Sequence, residues 1–157
     1  MILYILLGVI VLFVIVVMLA TRESNQKAII VGDQILQMEQ NYNKYVENYF
    51  TAHTLNRANK AIVEDELVKE VMTVILPEIR GILSFVNVTI YASMTIPIKA
   101  NYFPNLVPLT EEYFDKSRKN KSKKISQEEE VEYIAIIEDA VRADLKKRLL
   151  DLDIAAW

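Results

Sequence analysis

The first stretch of the chain is a run of apolar residues without a single charge. Residues 2–20 are nearly all aliphatic, and the first charged side chain is Arg22. A helix rises about 1.5 Å per residue, so this run reaches roughly 29 Å, close to the hydrocarbon thickness of a bilayer. A secretory signal would have a basic leading segment and a shorter apolar run. We therefore predict a retained transmembrane anchor over residues 1–21.

The pattern then changes to that of an amphipathic helix. Between Glu23 and Ala52, apolar residues recur at alternating steps of three and four, the spacing of a heptad seam. With no proline between Met1 and Leu76, anchor and seam are predicted to form one nearly continuous helix. The seam can pack on the protein's own later helices or on a second copy. The candidate oligomer seam is Val31, Ile35, Met38, Tyr42, Tyr45 and Tyr49.

A second helix is predicted from Ala61 to Leu76, with Pro77 ending or kinking it. Beyond it, apolar and polar residues alternate over 86–96 with many β-branched side chains, which is typical of a strand. A lone strand needs a partner, so one or two strands are predicted within about 85–109. The alternative for this region is a second membrane span over 81–98, which is uncharged but contains Asn87 and several hydroxyls.

The last third contains an extended segment, a basic loop and a long helix. Prolines at 97, 104 and 108 indicate an extended surface segment, and a loop is predicted over 115–125. Ser126 and Glu129 form a capping box that opens the C-terminal helix. Its predicted buried stripe is Val131, Ile134, Ile137, Val141, Leu145, Leu149 and Leu152. The fold class is thus mainly α, with a transmembrane helix that continues into a single soluble helical domain over 22–157.

Composition and motifs indicate no enzymatic chemistry. The chain has no cysteine, which excludes disulfides, thiolate metal sites and a cysteine nucleophile. No phosphate loop, zinc-binding spacing or nucleophile elbow is found, and His53 is the only histidine. The carboxylate pairs Asp65/Glu66 and Glu111/Glu112 are sequence neighbours, so they do not share a helical face. We predict no catalytic residues, no metal and no cofactor.

Six positive charges in nine residues form the one candidate binding site, which we call the basic run. Each such charge near an anionic leaflet is worth about 1 kcal/mol, so the run could attach to lipid headgroups. The simpler interpretation is a solvated connector. Nucleic acid is disfavoured, because no aromatic residues are interleaved to stack on bases and the net charge is −3. The basic run comprises Lys116, Arg118, Lys119, Lys121, Lys123 and Lys124.

Charges flanking the span favour a cytoplasmic domain. Arg22 and Lys27 follow the apolar run, while no basic side chain precedes it. Under the positive-inside rule this bias places the N-terminus outside and the domain inside.

These features favour a non-enzymatic, single-pass membrane subunit that assembles through helix packing with copies of itself or with other subunits. One alternative is a membrane-tethered regulator that binds anionic lipid through the basic run. A second is a filament subunit: an apolar helix running into an amphipathic one, followed by β structure, resembles type IV pilins over about the first 55 residues. The resemblance implies filament assembly, although Ile5 stands where those pilins carry a glutamate.

Overall fold

The computed structural model describes residues 2–52, 60–86, 95–119 and 126–155, and these residues contain four α-helices. They are α1 (Ile2–Ala52), α2 (Lys60–Val86), α3 (Leu106–Lys119) and α4 (Gln127–Ala155). The mainly helical fold predicted from the sequence is therefore confirmed.

Helix α1 combines the apolar run and the seam in one uninterrupted element. Its 51 residues give a length of about 77 Å. The apolar window near its N-terminus has a mean hydropathy of 3.0, and none of it is buried by the rest of the chain. This part of α1 is long and apolar enough to span a membrane. From Ser24 onward one face of α1 is buried.

Helix α2 runs antiparallel to both α1 and α4. Asn41 and Tyr45 of α1 bond Glu78 and Glu70 of α2, so the two helices run in opposite directions. On the other side of α2, Arg80 pairs with Glu130 and Asp65 pairs with Arg142. Helix α2 also packs on α3 and thus lies at the centre of the bundle.

The core lies between these helices and is almost entirely apolar. Periodic side chains of α1, α2 and α4 interlock with residues from the segment 95–105 and from α3. Among the largest fully buried side chains are Ile35, Met38 and Tyr42 of α1, Leu67, Ile75 and Ile79 of α2, Phe103 and Phe114 from the later segments, and Ile137 and Leu145 of α4.

The predicted strands are wrong for the part of 85–109 that the structure describes. Phe85 and Val86 are the last residues of α2, residues 95–105 are irregular, and 106–109 begin α3. Residues 87–94 lie outside the described residues. Val86 and Ile96, the two ends of the alternating pattern, are buried against the helices, and Ala100 and Phe103 beyond it are buried as well. The predicted surface segment is thus partly a core segment.

Pro77 does not end α2, which continues for nine residues beyond it to Val86. A proline inside a helix removes one amide donor, here the one that would reach the carbonyl of residue 73. Thr73 and Pro77 are both exposed, so that carbonyl can bond water instead. Ile82, Leu83 and Val86 are buried in the core, which favours continuation of the helix and ties residues 82–86 to the domain rather than to a second span.

Helix α3 was not predicted, because prolines at 104 and 108 indicated extended chain. Pro108 is the third residue of α3, where its missing amide has no intrahelical partner to lose. The amides of Leu106 and Leu109 bond the carbonyls of Phe103 and Asn105, which starts the helix. The loop predicted over 115–125 accordingly starts later, since residues 115–119 belong to α3.

Helix α4 begins at the predicted capping box. Ser126 Oγ accepts the amide of Glu129, and Glu129 accepts the amide of Ser126 at 3.1 Å. The predicted stripe is buried from Ile137 to Leu149, with Ile134 partly buried. Val131 and Leu152 are exposed. Near the start of the helix the buried residue is Tyr133 and not Val131.

Two helix-interior glycines differ in what surrounds them, and this gives a stability prediction. A Cβ at Gly32 would lie 3.2 Å from Ile98 Cγ2, whereas a Cβ at Gly81 would meet nothing within 4 Å. Gly81→Ala should therefore raise the free energy of unfolding by about 0.5–1 kcal/mol. Gly32→Ala should lower it by about 1 kcal/mol, because overpacking outweighs the same helical gain. Thermal melts of the two detergent-solubilised variants check this; equal shifts would contradict it.

Candidate functional site

The most structured polar site lies where α1, the segment 95–105 and α4 meet. The Tyr42 ring is fully buried and makes edge contacts with the rings of Tyr102 and Phe103, at centroid distances of 5.5 and 5.0 Å. Its hydroxyl donates to Asp144 Oδ2 at 2.5 Å. Tyr42 therefore joins three parts of the chain through one side chain.

Arg148 closes this site from α4. Its guanidinium donates to Asp144 Oδ2 and to Asn43 Oδ1, both at 2.8 Å. The same group lies 4.7 Å from the Tyr102 ring centroid and 5.5 Å from that of Tyr42, within cation–π range. The Tyr102 hydroxyl donates to Asn43 Oδ1 at 3.0 Å. We call Tyr42, Asn43, Tyr102, Asp144 and Arg148 the central cluster.

Beside the central cluster, Glu39 is a buried carboxylate held by backbone amides. It is 2 % exposed. Its oxygens accept the amides of Asn101, Tyr102 and Phe103 at 3.0, 2.8 and 3.1 Å. Three amide donors satisfy a charge that would otherwise be costly to bury. Glu39 thus fixes the segment 101–103 against α1.

The chemistry of this site is that of a structural junction. The Glu39 oxygens accept three backbone amides, and Asp144 Oδ2 accepts the Tyr42 hydroxyl and the Arg148 guanidinium. These bonds join α1 to the segment 101–103 and to α4.

Burial, followed by the hydrogen bond to Asp144, raises the pKa of the Tyr42 hydroxyl well above its ordinary value. A group with a raised folded-state pKa stabilises the fold below its unfolded pKa of about 10, and that stability is lost as the pH rises further. The free energy of unfolding should therefore fall above pH 10, with Tyr42 contributing up to about 1.4 kcal/mol per pH unit.

Tyr42→Phe should reduce this alkaline loss while costing about 1–2 kcal/mol at neutral pH through the lost hydrogen bond. Urea titrations at pH 7.5 and at pH 11 check the prediction, with Tyr4→Phe as the control in the exposed apolar helix. An equal alkaline loss in Tyr42→Phe and in the unaltered chain would contradict it.

The structure places the candidate oligomer seam largely inside the chain's own core. Val31, Ile35, Met38 and Tyr42 are fully buried in the chain itself. Tyr45 and Tyr49 are half-buried at the edge of the core, and Tyr45 donates to Glu70 at 2.9 Å. An additional role of these residues between subunits stays a prediction.

The basic run is only partly described. Lys116, Arg118 and Lys119 belong to α3, while Lys121, Lys123 and Lys124 lie outside the described residues. Lys116 Nζ lies 3.0 Å from Glu112 and 3.5 Å from Glu129, and 3.3 Å from the Tyr133 hydroxyl. Hydrogen bonds to Glu112 and Tyr133 raise the pKa of this ammonium group. Lys116 thus joins α3 to α4, and lipid binding by the run stays a prediction.

Asp65 and Glu111, from the two pairs of neighbouring carboxylates, make structural contacts. Asp65 pairs with Arg142 across α2 and α4 at 2.5 Å, and the hydrogen bond from Arg142 lowers the pKa of Asp65. Glu111 accepts the amide of Ile96 at 2.9 Å. His53 lies outside the described residues. Over the described ranges, no group of three or more histidine and carboxylate side chains is arranged to hold a metal ion.

Sequence reasoning missed Glu39 and the central cluster. Glu39 lies directly after Met38 and three residues before Tyr42, on the buried face of α1. A charge at a core position is a signal of a specific partner. That partner could not be named, because it is 62 to 64 residues away in the chain.

Comparison of the chain with protein-family models, with curated proteins and with solved structures finds no match.

Proposed function

We propose that this chain is a non-enzymatic, single-pass membrane subunit whose helical domain is a rigid extension of its anchor and assembles with other subunits. The observation that carries the proposal is the continuity of α1. One helix presents an exposed apolar surface at Leu12 and its neighbours and then supplies Val31, Ile35 and Tyr42 to the core of the domain. No loop separates the two parts.

Rigid coupling follows from how firmly α1 is held. Glu39 and Tyr42 fix the helix to the segment 101–103 and to α4. A force or rotation applied to the domain would therefore be transmitted along α1 into the bilayer. Rigid attachment of this kind is what a scaffold or assembly subunit needs, since it must hold its partners at a defined height above the membrane and in a defined orientation.

The oligomeric state tests the proposal. The full chain, extracted in mild detergent, should have a detergent-corrected mass by light scattering that is a multiple of the chain mass, or should purify with another subunit. A chain that is strictly monomeric both in detergent and by single-molecule photobleaching in native membranes would contradict assembly.

We further propose that the domain lies on the cytoplasmic side, on the strength of Arg22 and Lys27 after the span. The chain has no native cysteine, so Asp139→Cys on the exposed face of α4 gives a single labelling site. A membrane-impermeant maleimide should label it only after the cells are permeabilised. Labelling in intact cells would contradict this orientation.

A second candidate function, binding of anionic lipid, is favoured by the direction of α3. Leu106 at the start of α3 follows Phe103, which bonds Glu39. Glu111, further along α3, bonds Ile96, whose side chain lies near Gly32. The chain therefore runs from the level of Glu39 back towards the membrane-proximal part of α1. The basic run follows at the end of α3.

This candidate is tested with the detergent-solubilised full chain and short-chain lipids. The chain should retain phosphatidylserine in preference to phosphatidylcholine, and the preference should weaken in high salt. A variant with Lys121, Lys123 and Lys124 changed to glutamine should lose the preference. Equal retention of both lipids by the unaltered chain would exclude this function.

A further inference from the structure

One outward surface of the α1–α2 pair is built mainly of neutral side chains, with Glu78 as a charged member. On α1 it contains Ile30, Gln34, Gln37 and Asn41, spaced at steps of four, three and four. Side chains at this spacing share one face of a helix. Ile30 is 44 % exposed, and Gln37 and Asn41 are also exposed. We call this surface, together with the adjoining face of α2, the amide face.

Helix α2 contributes uncharged residues to the amide face. Val74, Pro77, Gly81 and Ser84 are exposed and again follow steps of three and four. Between the two helices lies a groove of about 310 Å³, lined by Gln34, Gln37, Asn41, Glu78, Gly81 and Ile82. Glu78, the one ionisable residue of this lining, accepts Asn41 Nδ2 at 2.9 Å.

Gln34 gives the groove an unmet hydrogen-bonding requirement. Its Oε1 atom is buried, and no donor reaches it among the residues that the structure describes. A buried acceptor without a donor costs about 1–3 kcal/mol. If the Gln34 side chain turns toward the groove, a donor from outside the chain would recover part of this cost.

Gly81 lies in the same groove, and the packing of this chain does not explain why a glycine is present there. A Cβ there would meet nothing within 4 Å, so the packing of this chain does not require glycine. Glycine inside a helix costs up to about 1 kcal/mol relative to alanine. An external helix that approaches the backbone closely would account for it, as small residues do in other close helix pairs.

The geometry points to a second copy of this chain as the occupant of the amide face, an inference that rests on the proposed function. Anchored copies share one orientation in the bilayer, and a two-fold axis along the membrane normal brings identical faces together. Each glutamine and asparagine amide has both a donor and an acceptor, so an amide surface complements its own copy. A surface of like charges would repel its copy.

Single-cysteine cross-linking in native membranes tests the contact, since the chain has no other cysteine. Gln37→Cys, on the amide face, should form disulfide-linked dimers under mild oxidation. Asp139→Cys, exposed on α4, is the matched control and should form several-fold less. Adding Gly81→Leu to Gln37→Cys should suppress the dimer; a Cβ at Gly81 meets nothing within 4 Å, and the thermal melting temperature of the variant measures whether the monomer stays folded.

Each outcome decides between the two proposals. Oligomers that do not cross-link at Gln37, or a Gly81→Leu variant that cross-links fully, would overturn the amide face and leave membrane assembly intact. A chain that is monomeric by photobleaching would overturn both.

Discussion

Replacing Glu39 by leucine should strongly destabilise the helical domain. The substitution leaves the amides of Asn101, Tyr102 and Phe103 without their common acceptor, and the bond to Phe103 is buried. Each amide left unpaired in a buried site costs about 1–3 kcal/mol, so the loss should be about 3 kcal/mol or more. That is a large fraction of the stability of a typical domain, which is about 5–15 kcal/mol.

Glu39→Gln should lie between leucine and the unaltered chain. Its carbonyl oxygen can still accept two of the three amides, but its NH₂ group would face the third donor. Glu132→Leu on the exposed face of α4 is the control and should change stability by less than about 1 kcal/mol. Far-ultraviolet circular dichroism during urea titration measures the series. Equal midpoints for Glu39→Leu and Glu132→Leu would refute the role assigned to Glu39.

The second large effect is expected from Arg148→Met in the central cluster. Methionine keeps much of the length of the side chain but removes the bonds to Asp144 and Asn43 and the contacts with two aromatic rings. Asp144 is then left with the Tyr42 hydroxyl alone. Removing one partner of a well-packed ion pair costs about 3–5 kcal/mol when it is buried. With side chains here about one-fifth exposed, we expect about 2–3 kcal/mol.

Two further variants test whether the central cluster stabilises the fold more than an exposed ion pair does. Arg142→Met also removes ion pairs between α2 and α4, but Asp65 there is 61 % exposed, so the loss of stability should be much smaller than for Arg148→Met. Combining Arg148→Met with Asp144→Leu should cost less than the sum of the single changes, because no charge is left unpaired. Exact additivity would argue against a coupled cluster.

Much of the helical architecture could be predicted from local patterns. The apolar run, the three-four spacing of α1 and the capping box of α4 each act over a few residues, and the structure has a helix at each place. Extension of α2 beyond Pro77 and the start of α3 near Pro108 depended instead on tertiary burial and on the position of each proline in its helix. The positions of the prolines in the sequence do not by themselves contain that information.

The polar junctions could not be predicted, because they join residues far apart in the chain. Tyr42 reaches Asp144 over 102 positions, and Arg148 reaches Asn43 over 105. The alternating pattern at 86–96 suggested a strand, since β-branched residues and period two favour one. In the structure Val86 ends a helix and Ile96 is buried beside α1 and accounted for by side-chain packing.

The central claim, that α1 anchors the chain in the bilayer, is tested most directly by alkaline carbonate extraction of membranes containing the full chain. We predict that the chain stays in the membrane pellet. A variant with Val9→Lys and Phe13→Lys should be released, because each lysine near the centre of a span costs about 2.5–3.5 kcal/mol. Recovery of the unaltered chain in the carbonate supernatant would contradict the account.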